Sequence, residues 1–96
     1  MKVLSVFGSL PEVVKRLQLF LNDNNFNHIK INDLTNEITA ERRQFFVWKD
    51  YLHLKVKSEK SKVTNIELTL NPLHDHKTPG DENKELSLQN RIYLYF

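Results

Sequence analysis

Leu10, Val13, Val14, Leu17, Phe20 and Leu21 recur at steps of three and four, which predicts an amphipathic helix with one apolar stripe. Lys15, Arg16 and Gln18 take the other side. Ser9-Leu10-Pro11-Glu12 has the form of a capping box, in which the Ser9 hydroxyl accepts from the Glu12 amide and Glu12 reaches back to the Ser9 amide. Pro11 suits a first helical turn, where a missing N–H costs nothing. The run Asn22-Asp23-Asn24-Asn25 stops the helix, because Asn tolerates the left-handed conformation used at helix ends. Ahead of the helix, the β-branched and aromatic stretch Val3 to Phe7 predicts a short strand ending at Gly8.

From Asn27 the period changes to two. Ile29 and Ile31 alternate with His28, Lys30 and Asn32, and Ile38 and Ala40 alternate with Glu37, Thr39 and Glu41. Asp33-Leu34-Thr35-Asn36 lies between them, so the economical reading is a hairpin. Leu52, Leu54 and Val56, then Thr64, Ile66, Leu68 and Leu70, predict a second strand pair across a polar turn at Ser58 to Lys62. Pro72, Pro79, Gly80 and several charges make a loop of residues 71–85. The final segment reads two ways. Leu88, Ile92, Tyr95 and Phe96 share one helical face with Asp81 or Asn83 as a start signal, whereas Ile92 to Phe96 also fits an edge strand. The helix is the preferred reading.

Strand alternation with one polar face implies an antiparallel sheet covered by helices on its other face. The expected fold is α+β, a two-layer sandwich in which a curved antiparallel sheet of about five strands packs on the N-terminal helix. The element order is β-α-β-β-β-β with a final helix. The 96 residues form a single domain, with 40% hydrophobic and 27% charged residues, as in ordinary globular chains. No apolar stretch suits a membrane span, and the opening Met1 to Gly8 lacks the core of a signal peptide. A cytoplasmic location and no membrane partner are expected. The absence of cysteine excludes disulfides, thiolate metal sites and cysteine nucleophiles.

The net charge of +2 conceals an uneven distribution. Between Arg42 and Lys62 seven cationic residues stand against two anionic ones, while between Asn71 and Glu85 four acids outnumber two lysines. Three short stretches carry a resemblance. Ile38-Thr39-Ala40-Glu41-Arg42, Trp48-Lys49-Asp50 running on to Val56, and Gly80-Asp81 with Asn83 followed by Asn90-Arg91-Ile92 are similar to a pattern in small bacterial families of unknown function. Those families are described as having a fold like one repeat of the TATA-binding protein, and the resemblance implies that TBP-like fold here. The chain departs from the pattern at the last turn, where Gly80 precedes Asp81 instead of following it. A shared fold carries no function with it.

His74-Asp75-His76, with Asp81 nearby, has residue types that bind zinc or nickel, but a rigid third ligand is lacking and a solvated polar loop is the preferred reading. No metal or cofactor is assigned. No Gly-x-Ser-x-Gly elbow occurs, and two glycines cannot supply a phosphate-cradling loop or a dinucleotide fingerprint. The chain is therefore expected to be non-enzymatic. Phe45, Phe46, Val47 and Trp48 are many large apolar groups for a connecting segment. They fit a plug at the end of the core, a contact for a protein partner or a second copy, or a lid on a small hydrophobic ligand. Tyr51, His53, Lys55 and Lys57 project from one strand face, with Arg42 on the preceding strand, and such a face can stack bases and contact phosphates. The expected function is binding, first of a protein or a copy of itself through the aromatic segment. Nucleic acid on the basic face comes second, and a small hydrophobic ligand third.

Overall fold

The most regular alternation in the chain is that of Val63–Leu70, where Thr64, Ile66, Leu68 and Leu70 are buried and the residues between them are half-exposed. This strand sits inside an antiparallel sheet with one face against helices, which is what period-two burial requires. A computed structural model describes residues 1–44, 48–71 and 79–96, with the backbone alone at Gln44, Trp48 and Pro79. Along the chain run β1 (Lys2–Phe7), α1 (Leu10–Asp23), β2 (Asn27–Asn32), β3 (Glu37–Gln44), β4 (Trp48–Lys60), β5 (Val63–Leu70) and α2 (Pro79–Tyr93). The sheet order is β1-β5-β4-β3-β2, antiparallel throughout. The fold is the α+β two-layer arrangement that the alternation predicts.

The helices share one face of the sheet. Val13, Leu17, Phe20 and Leu21 of α1 and Leu88 and Ile92 of α2 are fully or almost fully buried. They form one core with Leu4 and Val6 of β1, Ile38 and Ala40 of β3, Leu52, Leu54 and Val56 of β4, and the inner residues of β5. At the end of the chain Tyr95 sets its ring edge-on to Phe20, 5.6 Å between centroids, while its hydroxyl donates to Asp23 at 2.7 Å. That bond holds the Tyr95 hydroxyl above its ordinary pKa, since ionisation would place a second negative charge beside Asp23.

Several local expectations change. Ser9 is the N-cap of α1 in extended geometry, and its carbonyl accepts from Val13, but its side chain makes no cap bond. Glu12 does not close a capping box with it. The Glu12 carboxylate lies over Gly8, where a Cβ would meet it at 3.2 Å, and reaches Arg16 at 3.9 Å. Gly8 has φ +142°, a value that side chains rarely adopt, so the sharp exit from β1 depends on this glycine. The helix does end in the asparagine run: Asn25 is left-handed at φ 64°, and both nitrogens of Asn24 donate to the Phe20 carbonyl.

β4 continues through Ser58 and Lys60, which pair with Thr64 and Val63, so the turn shrinks to Ser61 and Lys62. The polar residues read as a turn are the solvated end of a long two-stranded ribbon. Trp48 is not in a connection but opens β4 opposite Gln44. Residues 79–85, expected to be loop, are the first turns of α2. Pro79 fits a first helical turn, and Asp81 and Glu82 favour the positive end of the helix dipole, so these loop-like residues start a helix. The C-terminal segment is the helix and not the edge strand.

Candidate functional site

The helices leave the other face of the sheet open. β4 presents Tyr51, His53, Lys55 and Lys57 there, in register with Glu41, Thr39 and Glu37 of β3 and with Thr69, Glu67 and Asn65 of β5. These four sequence-predicted residues do come together. Their positive charge is partly answered by carboxylates on the neighbouring strands. Lys57 lies 3.3 Å from Glu67, His53 3.0 Å from Glu37, and Lys49 4.0 Å from Glu41, which also meets His28 at 3.1 Å. The hydrogen bond from His53 holds the Glu37 carboxyl below its ordinary pKa. Two depressions of about 220 and 150 Å³ on this face share His28 and Glu41; Asn27, Arg43 and Lys49 complete the first, and Lys30, Thr39, Ala40 and Tyr51 the second.

Arg42 does not join that face. It has the parity of Ile38 and Ala40, so its side chain turns toward the helices, with its guanidinium carbon 4.7 Å from the centroid of the Phe26 ring. Strict alternation from Ile38 would have found this. Phe45, Phe46 and Val47 lie outside the described residues, as do the side chain of Trp48 and the His74-Asp75-His76 segment. Among the described residues no group of three His, Asp or Glu side chains is arranged to hold a metal. No described helix is long and apolar enough to cross a membrane.

The composition hides a buried polar junction at the end of β5. Asn71 is left-handed at φ 50°, donates its amide to the Tyr51 carbonyl at 2.6 Å and accepts from the Tyr51 amide at 2.9 Å. Its side-chain nitrogen donates to both Asp50 (3.2 Å) and Asp81 (3.1 Å). Lys84 donates to both Asp50 oxygens at 3.2 and 3.3 Å. Glu85, fully buried, accepts from the Leu70 amide at 2.8 Å and from the terminal ammonium of Met1 at 3.3 Å. In a low dielectric each of these carboxylates needs such donors, and the junction fastens α2 to the sheet. Asp81 thus belongs to a structural network. Comparison with models of known protein families and with curated protein sequences finds no match for this chain.

The edges of the sheet differ. β2 is irregular between Asn27 and Lys30, with His28 at φ 51°, and a bulge of that kind discourages pairing with another strand. β1 pairs with β5 without interruption from Lys2 to Phe7, and its other side has no strand neighbour among the described residues. The Gly8 amide bonds the Lys62 carbonyl at 2.8 Å. By antiparallel alternation, Val3, Ser5 and Phe7 therefore aim their backbone groups outward. On the open face Phe7 is 84% and Val3 52% exposed. Sequence reasoning missed this edge, because a strand of six residues does not say whether it is central or peripheral.

Proposed function

We propose that this is a non-enzymatic binding domain that self-associates through β1. The supporting observation is that β1 is an edge strand with no strand neighbour on its outer side among the described residues, with Val3 and Phe7 exposed beside it. A two-fold axis through Ser5, normal to the sheet, puts Val3 of one copy opposite Phe7 of the other and Ser5 opposite Ser5. The interface is then isologous, as most homodimers are. Aromatic and β-branched residues facing each other across antiparallel strands are a favourable pair. The two five-stranded sheets become one continuous sheet of ten. Sedimentation velocity tests the reading: the chain sediments as a dimer, and Phe7→Lys or Ser5→Pro sediments as a monomer with an unchanged circular dichroism spectrum. A monomer at every concentration tested ends it.

Nucleic-acid binding on the open face is the second reading. It is favoured by Tyr51, 51% exposed, on the same strand face as Lys55 and Lys57. Glu37, Glu41 and Glu67 weigh against it, since carboxylates among the lysines repel phosphates. Retention on single-stranded DNA that falls with salt and is lost in Tyr51→Ala supports this reading, whereas no retention at low salt ends it.

A further inference from the structure

A cluster of cationic side chains lies on the covered side of the sheet, between β3 and α2. There a groove of about 280 Å³ is lined by Arg42, Lys84, Ser87, Leu88 and Arg91. The four α2 residues are spaced by three and four, which puts them on one helix face, and Arg42 faces them from the sheet. Three cations thus converge with one hydroxyl.

Their partners leave this charge largely unanswered. Lys84 is taken by Asp50. Arg91 donates one guanidinium nitrogen to the neutral Asn24 side chain at 3.2 Å. Arg42 stacks on Phe26 and makes no ion pair among the described residues, and its Nε is buried with no hydrogen-bond partner. It is the one buried side-chain polar atom in that condition among the described residues. Burial, opposed by Asp50 and reinforced by the nearby Arg91 charge, lowers the proton affinity of Arg42. A buried N–H without an acceptor is costly, and two guanidinium groups around one groove repel.

We infer that this groove binds a phosphate monoester borne by a small molecule. With Asp50 neutralising one of the three cations, the remaining charge matches a dianion. Two guanidinium groups suit the several acceptor oxygens of a phosphate better than the two of a carboxylate. Ser87 supplies a hydroxyl donor and Leu88 an apolar contact for the attached group. The cavity is at the lower limit of ligand-site size, which fits a small ester and not a nucleic-acid strand. The Phe26 ring and the Asn24 amide orient the two arginines before any ligand arrives, which lowers the ordering cost of binding.

The experiment is an NMR titration of the full chain with inorganic phosphate and with phenyl phosphate, ionic strength held constant with chloride. The expected result is a saturable shift of the Arg42 Nε–H resonance and of the amides of residues 84–91, with Lys55 and Lys57 unmoved. Phenyl phosphate should bind more tightly than inorganic phosphate if an attached group is recognised. Arg42→Gln and Arg91→Gln should each weaken binding by about tenfold or more, the loss of a charge-assisted pair. Ser87→Asp, which leaves the arginines and their packing intact, should abolish binding by repulsion. Shifts that follow chloride equally, that fail to saturate, or that persist in Ser87→Asp overturn the proposal.

Discussion

The two faces of the sheet are built from the same strands by alternate residues, yet they obey different energetics. Toward the helices, Leu52, Leu54 and Val56 are sealed among Leu4, Ile66, Leu68 and the α1 stripe, and any lost volume leaves a cavity. One residue away, His53, Lys55 and Lys57 stand in solvent beside Glu37 and Glu67, and any lost contact is replaced by water. Polar groups follow the same division. The Asn71 and Glu85 junction is buried and every bond in it matters, whereas the open-face ion pairs are screened. Charge on this molecule therefore acts where desolvation is greatest, at the β5–α2 junction and in the Arg42 groove.

Substitutions rank the two faces. Leu54→Ala should cost about 2–5 kcal/mol, as for other fully buried leucines, and thermal unfolding would show a fall in Tm of roughly 10–30 °C. Asn71→Ala should cost about 2–4 kcal/mol, because it leaves Asp50 and Asp81 short of a donor and forces a left-handed alanine. Asn71→Gly, which relieves only the backbone term, should recover a fraction of that loss in urea unfolding. A recovery close to complete would mean that the side-chain bonds contribute little. On the open face, Lys57→Met should change stability by less than about 0.5 kcal/mol, and a larger loss would remove the contrast between the faces.

The Glu37–His53 pair gives the smallest and most specific effect. The folded-state pKa of Glu37 lies below its ordinary value of 4.5, so its contribution is complete above that pH. It is lost as pH falls through the folded-state value. Comparing the acid unfolding of the parent with that of Glu37→Gln should show the variant slightly less stable at neutral pH and declining less steeply below about pH 4.5, so that the two profiles converge in acid. Identical acid profiles would show that the open-face pair makes no net contribution.

Apolar periodicity made most of this architecture legible. The α1 stripe, the strand alternations and the asparagine stop each reflect one local rule, and local rules survive in a single sequence. The parts misread were places where two rules compete. Pro79-Gly80-Asp81 has loop composition and also the makings of a first helical turn. Ser58 to Lys60 has turn composition but lies where β5 offers a partner. The capping box had the right residues, yet the left-turning Gly8 carries the backbone so that Glu12 covers Gly8. For the candidate surfaces, Tyr51, His53, Lys55 and Lys57 were legible because they alternate within one strand. The exposure of β1 was not, and neither was the Arg42 groove, whose members are separated by more than forty positions in the chain.

The sequence alone determined the fold class, the face each strand buries and the absence of cysteine chemistry, because periodicity and composition are properties of neighbours along the chain. Tertiary structure decided which strands became edges, which carboxylates were desolvated and which cations met without a counter-charge. Those outcomes depend on distances between remote residues and on the dielectric around them, and neither is written in any local stretch of the sequence.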